Sequence, residues 1–446
     1  MADPELTHAN LAARLERMLG GRATLRGQLL RGGIGSMAVK SANLLLNLAA
    51  AVMLARLLGP AGYGTYSFFL SVVMLLAVPA MFGMPRLLIR EVATYQLHEQ
   101  WSLLRGILRR SYQVATVLVL LIGMLALLIG GEPGKGFAGR ETLLIGMLLL
   151  PFLALNSLCG AALRGLCRVV QGQMAEMVFI PGLLVVFSAA VALTVTLTPA
   201  WVMLAHAGAA LSAFLIGTGL LSRALPAPVQ RVTPAYNTRA WLSSVWPFGL
   251  IAGMQVINNQ ADILMLGVLS DTTAVGLYRV AAQASLLVSF GHMALNMVLG
   301  PHVTRLYQQN DRDRLQRMVK ASARFNLLIA VPVAMLFMLF GDSLLALVFG
   351  ADYRGAYIAL TMLVVGQLGN VAAGSVALLL NMSGHEKLTA AGLGGATLVN
   401  ILLNTILIPR FGINGAAIAT VATLACWNGV LLIAVRRRLQ IRPSAF

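Results

Sequence analysis

Residues 40–67 read KSANLLLNLAAAVMLARLLGPAGYGTYS, and residues 252–279 read AGMQVINNQADILMLGVLSDTTAVGLYR. At a shift of 212 residues the two stretches are identical at seven of 28 positions: Asn47/Asn259, Ala49/Ala261, Met53/Met265, Leu54/Leu266, Leu57/Leu269, Gly64/Gly276 and Tyr66/Tyr278. The correspondence continues in order along the chain. Pro85 and Pro301 each open a basic stretch, and Gly208-Ala209-Ala210 recurs as Gly415-Ala416-Ala417. The sequence reads as two copies of one unit.

Composition says what kind of unit. The 446 residues are 58% hydrophobic and only 11% charged, whereas a soluble domain is about 45–50% apolar and about 25% charged. A soluble enzyme and a disordered chain are both excluded. Twelve apolar segments near 34–57, 63–84, 111–130, 142–163, 174–197, 200–221, 246–269, 274–299, 323–347, 356–381, 389–408 and 414–435 match the roughly 20 residues a spanning helix needs. The expected fold is an all-α polytopic membrane protein of about twelve transmembrane helices. They form two six-helix lobes, 34–222 and 246–435, with a linker at 223–245. An even number of helices per lobe gives both copies the same orientation, with a pseudo-twofold axis along the membrane normal. Pro79, Pro151, Pro181 and Pro332 are the expected kinks. Residues 1–33 read as a basic amphipathic arm rather than a cleaved signal, and 436–446 as a basic tail.

Thirty-three Lys and Arg against 15 Asp and Glu give a net charge of +18. With the N-terminus inside, 26 cations fall on cytoplasmic stretches and four outside: Lys135, Arg140, Arg354 and Arg410. That asymmetry is the positive-inside pattern and puts both termini in the cytoplasm. It also removes the need for nucleic acid to explain the charge. Cys159, Cys167 and Cys426 are too few and too scattered for a disulfide framework or a zinc site.

Three cations fall inside segments: Lys40, Arg56 and Arg279. A charge in mid-membrane costs about 2.5–3.5 kcal/mol on insertion scales, so each is a candidate functional group. Lys40 shares one helical face with Ser36, Asn43 and Asn47; Gln255, Asn259 and Asp262 share the matching face of the second copy. Such faces point at protein or a wet cavity, because lipid-facing amides are costly. The candidate cavity residues are Lys40, Asn43, Asn47, Arg56, Gln255, Asn259 and Arg279, which together would attract an anionic phosphate. The plainer alternative is interhelical hydrogen bonding, with Arg56 and Arg279 as headgroup anchors or inter-lobe pairs. Asp262 is the candidate for proton or sodium coupling, against a salt bridge to Lys40 or Arg279. Glu176 is expected to pair with Arg164 or Arg168. Arg86, Arg90 and Arg305 flank the inner mouth. Ser285, Ser289, His292, Asn296, Gln367, Asn370, Thr397, Asn400 and Asn404 line either a glycan path or helix contacts. No nucleophile triad, phosphate loop or metal-ligand set supports an enzyme, and no cofactor is expected beyond a coupling ion.

ARLLGPAGYGTYSFF (55–69), PRLLIREVA (85–93), LRGLCRVVQGQ (163–173), VGLYRVAAQ (275–283), LLLNMSGHEK (378–387) and GINGAAIAT (412–420) resemble, in order and spacing, the polysaccharide-transporter flippases. That family includes the O-antigen and exopolysaccharide flippases of the multidrug/oligosaccharidyl-lipid/polysaccharide exporter superfamily. The resemblance covers about residues 30–435. It implies two lobes around a central cavity with alternating access. It also implies a multi-pass protein of the bacterial inner membrane. The implied substrate is an oligosaccharide on undecaprenyl pyrophosphate, moved from the inner to the outer leaflet for surface polysaccharide synthesis. Membrane lipids, a polysaccharide polymerase and assembly proteins are the implied partners. The alternatives within the superfamily are a multidrug-and-toxin-extrusion antiporter and a peptidoglycan lipid-precursor flippase. An acidic cavity would suit cationic drugs, and the first helix offers Lys40 instead.

Overall fold

A computed structural model describes residues 25–129, 140–441 and 443–445. The expected amphipathic arm lies largely outside the described residues, as does Lys135. Among the described residues all regular structure is helical. The long elements are α1 (Leu25–Met81), α2 (Met84–Leu97), α3 (Trp101–Ile129), α4 (Arg140–Gly165), α5 (Val169–Ala192) and α6 (Pro199–Ala224). A short α7 (Ala227–Arg231) precedes α8 (Thr238–Leu269), α9 (Thr272–Gln308), α10 (Arg312–Val348), α11 (Tyr357–Ala373), α12 (Val376–Met382) and α13 (Glu386–Leu439). Ten stretches of the described residues are long and apolar enough to cross a membrane.

Two of those ten are far too long for one crossing. Gly35–Met81 has 47 residues and Glu386–Leu439 has 54, which at about 1.5 Å per residue exceed twice the hydrocarbon thickness. Both are broken by a glycine: Gly59 at φ 67° in α1 and Gly412 at φ 55° in α13. Pro60 follows the first break and cannot supply a backbone N–H. The limbs of α13 fold back on each other. Gly392 lies against Trp427, 35 residues away, a separation of about 50 Å in a straight helix. Pro79, Pro151 and Pro332, the expected kinks, lie inside helices. The sharp reversals need left-handed backbone, which glycine provides and proline does not.

The two stretches that match at a shift of 212 residues meet each other. A Cβ on Gly64 would stand 1.7 Å from the Thr272 carbonyl, and one on Gly276 would stand 2.1 Å from the Pro60 carbonyl. Both contacts join residues whose partners lie 212 positions apart, so the approach is reciprocal. Only glycine allows backbones this close. Around this contact one core of buried alanine, leucine, valine and tyrosine runs from Ala50 to Ala417. On the basic face of the bundle the linker is pinned across α3: Arg105 Nη1 donates to the Val232 carbonyl (2.6 Å), and the Ala235 N–H to the Ser102 carbonyl (2.9 Å).

Candidate functional site

The site begins with a proline. In α5 the missing N–H of Pro181 leaves the carbonyl of Met177, four residues earlier, without its ordinary helical donor. Residues Ala175–Phe179 widen into a π turn, the kind of irregularity that recurs at functional positions. Asn43 of α1 supplies the missing donor, its Nδ2 giving a 2.7 Å bond to the Met177 carbonyl. Asn47 Nδ2 donates to the Asn43 carbonyl one turn below (2.8 Å). The widened turn puts Glu176 on the wall of a cavity.

That cavity has a volume of 330 Å³ and lies between both limbs of α1, α5, α6 and the start of α9. Asn43, Asn47, Tyr63, Ser67, Glu176 and Arg279 give it a polar wall, with Tyr66 bonded to His206 Nδ1 at 2.8 Å. Arg279 comes from α9, in the second half of the chain, and sits beside the Tyr63 hydroxyl. A second cavity of 470 Å³ adjoins the first and shares Asn43, Asn47 and Gln283 with it. Its lining is mostly apolar, with Met37, Met177, Phe290, Met293 and Met297, and its one cation is Lys40. A polar chamber and a methionine-lined chamber therefore share a wall between α1 and α9.

The sequence-expected residues divide accordingly. Asn43, Asn47 and Arg279 line the first cavity, and Lys40 the second. Arg56 does not join them. It is exposed at the far end of its limb and donates from Nε to the Val348 carbonyl (2.8 Å) and from Nη2 to that of Leu347. Those carbonyls end α10, where the helix dipole favours a cation, so Arg56 is an anchor between elements. Gln255 and Asn259 are exposed and line neither cavity. The amide that bridges to the first half is Gln260, whose Oε1 accepts from Ser71 at 2.8 Å. Arg86 and Arg305 are exposed; Arg90 pairs with Glu91 (2.8 Å) and lies over the Phe248 ring. Glu176 has no ion pair with Arg164 or Arg168: Arg164 Nε turns back to the Gly160 carbonyl (3.2 Å), and the π turn rotates Glu176 away. The first cavity thus has one carboxylate and one guanidinium in its lining.

Among the described residues Asp262 forms no salt bridge to Lys40 or Arg279. Its Oδ1 accepts from Asn400 (3.0 Å) and Asn404 (2.7 Å), and its Oδ2 from Tyr278 (2.7 Å) and Thr420 (2.7 Å). Among the described residues no cation pairs with it; the ion pairs there are Arg90–Glu91, Arg314–Asp311 and Arg354–Asp342. Four neutral donors satisfy a carboxylate that membrane burial would otherwise penalise. Sequence reading left Asn400 and Asn404 between a glycan path and helix contacts, of which the structure has the helix contact, and it missed Tyr278 and Thr420. Their signal was the i, i+4 spacing of the two amides and the match of Tyr278 to Tyr66. Of the other polar positions, His292 bonds Asn326 (3.3 Å) across helices and Asn296 (3.0 Å) within its own, Asn296 accepts from Ser375, and Asn370 accepts from Asn428 (3.0 Å), while Ser285, Ser289 and Thr397 turn back to carbonyls of their own helices.

A bundle of apolar helices with a polar chamber adjoining an apolar one is the architecture of a membrane carrier of small or lipidic solutes. Known proteins agree on the fold. The structure is similar to an inward-facing multidrug-resistance MATE family transporter of the MOP superfamily, with TM-score 0.71, 15% identity, and coverage of 92% of this chain and 98% of that one. It is similar to the lipid II flippase MurJ in an inward closed conformation, with TM-score 0.72, 14% identity, and coverage of 91% and 87%. Residues 53–357 match the family described as "Polysaccharide biosynthesis protein", and the chain belongs to that family. Its sequence is 24% identical over 405 residues to the probable flippase AglR of Haloferax volcanii, covering 86% of this chain and 79% of that protein. It is 26% identical over 167 residues to the probable low-salt glycan biosynthesis flippase Agl15 of the same organism. That match spans about a third of each chain, 37% here and 35% there.

Proposed function

We propose that this protein is a flippase for a lipid-linked oligosaccharide, carrying its phosphate-bearing head group from the inner to the outer leaflet by alternating access. The observation that carries the reading is the pair of adjoining chambers. Arg279 and the amides of Asn43 and Asn47 offer charge-assisted and neutral hydrogen bonds to a polar head. The methionine-lined chamber accepts an apolar chain, since methionine packs adaptably around irregular shapes. Lys40 adds a cation to the wall of the second chamber. An undecaprenyl pyrophosphate carrier has this division, with an anionic head and a long hydrocarbon tail. The names of the archaeal relatives, two probable flippases, support the same class of cargo. The membrane is a bacterial inner membrane in this reading, with both termini cytoplasmic.

Counting each limb of α1 and α13 as one crossing gives twelve spans. The reciprocal Gly64/Gly276 contact supports a parallel repeat of six. Asp262 is the coupling group: its four neutral donors hold a carboxylate that binds a proton or sodium ion when the halves rearrange. Glu176 favours a second reading, a cation-coupled antiporter for basic drugs, because it puts an acid in the first cavity. Arg279 in the same cavity and Lys40 in the second leave the combined chambers with more positive than negative charge, which disfavours cationic cargo. Deletion separates the two. Loss of the flippase leaves lipid-linked oligosaccharide in the inner leaflet and depletes surface polysaccharide; loss of an antiporter leaves polysaccharide intact and sensitises cells to cationic drugs.

A further inference from the structure

Away from the chambers, α3 and α4 enclose a groove of 540 Å³ on the outer side of the bundle. Its floor is Ala115 and Val119, both buried, and its rims are Leu120 and Met124 on α3 and Leu148 on α4. Nearly all of its lining is apolar. Pro151 lies inside α4 along it, and Gly123 leaves it open: a Cβ there would meet nothing within 4 Å. From Ala115 to Met124 the groove runs about 13 Å along the helix axis. That is close to the roughly 15 Å depth of one leaflet of hydrocarbon.

The groove points at a cation. Arg109, Thr116, Leu120 and Gly123 follow at intervals of seven, four and three residues, one stripe on a helix. Arg109 therefore stands about 10 Å below Thr116 on the groove's own face, on the basic side of the bundle. It is exposed, and among the described residues it has no ion pair or hydrogen bond. Its neighbours differ: Arg105 is tied to the linker carbonyls, and Arg110 lies over the Tyr236 ring.

We propose that the α3–α4 groove is a binding site for an acidic glycerophospholipid of the surrounding membrane, with one acyl chain in the groove and its phosphate on Arg109. Ordinary boundary lipid needs neither a groove one leaflet deep nor an unpaired guanidinium at its mouth; a retained acidic lipid uses both. The carrier lipid is the less suitable occupant, because its long polyprenyl chain exceeds a groove one leaflet deep. The site is distinct from the transport chambers and holds whatever their cargo is.

The test is native mass spectrometry of the delipidated full chain titrated with phosphatidylglycerol, phosphatidylcholine of the same chains, and undecaprenyl phosphate. The expected result is tighter binding of phosphatidylglycerol than of phosphatidylcholine, by about fivefold for one surface cation. Arg109→Ala abolishes that preference and Arg109→Lys keeps it. Gly123→Phe, which fills the groove, weakens both phospholipids. Arg223→Ala, at another basic-face position, changes nothing. Equal binding of the two phospholipids by the parent overturns the proposal, as does a preference that survives Arg109→Ala. An equal loss in Arg223→Ala assigns the effect to diffuse charge, unaltered binding in Gly123→Phe removes the chain from the groove, and preferential binding of undecaprenyl phosphate gives the groove to the carrier; each result overturns the proposal.

Discussion

Tyr66 and Tyr278 stand at matching positions 212 residues apart, both buried, and their hydroxyls serve different neighbours. Tyr66 meets His206 at the wall of an open cavity that also holds Glu176 and Arg279. Tyr278 donates to Asp262, in a cluster that Asn400, Asn404 and Thr420 complete. One half of the molecule leaves its polar groups facing a chamber; the other half spends them on one carboxylate. The difference teaches that two stretches of matching sequence have been given unequal surroundings. In the proposed function the chamber takes the bulky cargo and the cluster takes the small ion.

The contact that joins the halves should be the most sensitive to change. Gly64→Val and Gly276→Val each force a side chain onto a backbone carbonyl, which cannot swing aside as a side-chain tip would. Loss of well over 3 kcal/mol is expected, beyond ordinary overpacking, and membrane-inserted protein should fall below about a tenth of the parent level by immunoblot. Normal abundance in both variants would mean that the halves are not held by this contact.

At the chamber, Arg279→Ala removes a hydrogen-bonding cation worth about 1.5–3 kcal/mol toward a charged group. Surface polysaccharide should drop about tenfold or more with abundance unchanged, and Lys40→Ala should do the same to a lesser degree. In the cluster half, Asp262→Asn should leave abundance near normal, because the amide still accepts from its hydroxyl neighbours. Export should lose its dependence on the proton or sodium gradient, as measured with ionophores. Gradient dependence identical to the parent's would return Asp262 to a structural role and erase the functional contrast between halves.

The smallest effect concerns the π turn. Asn43→Ala should cost about 1–3 kcal/mol by orphaning the Met177 carbonyl. Adding Pro181→Ala restores a backbone N–H to that carbonyl and should recover most of the loss in thermal unfolding. A double variant no better than Asn43→Ala would break the link between the proline and the asparagine.

The apolar runs and the polar stripe of the first helix were legible in the sequence, because hydropathy and helical spacing are local. Asn43, Asn47, Lys40 and Arg279 were found that way. Arg56 was misread because its partners, the α10 carbonyls, are some 290 residues away and backbone acceptors leave no mark in sequence. Glu176 was misread because a π turn shifts its direction, and proline alone suggested a kink at that place. Asp262 was visible as a charge in an apolar run. Its partners lie 16 to 158 residues away, and only folding gathers them. The reversals at Gly59 and Gly412 likewise fall at glycines, which occur throughout such a chain.

The most direct test is transport in proteoliposomes loaded with an oligosaccharide linked to undecaprenyl pyrophosphate, with the fraction of glycan open to an added glycosidase followed over time. Vesicles holding the parent should expose previously protected glycan until nearly all of it is cleaved. Those holding Arg279→Ala should do so about tenfold more slowly. Cleavage that stops at the same fraction as in protein-free vesicles, or that proceeds equally fast in the variant, would contradict the account.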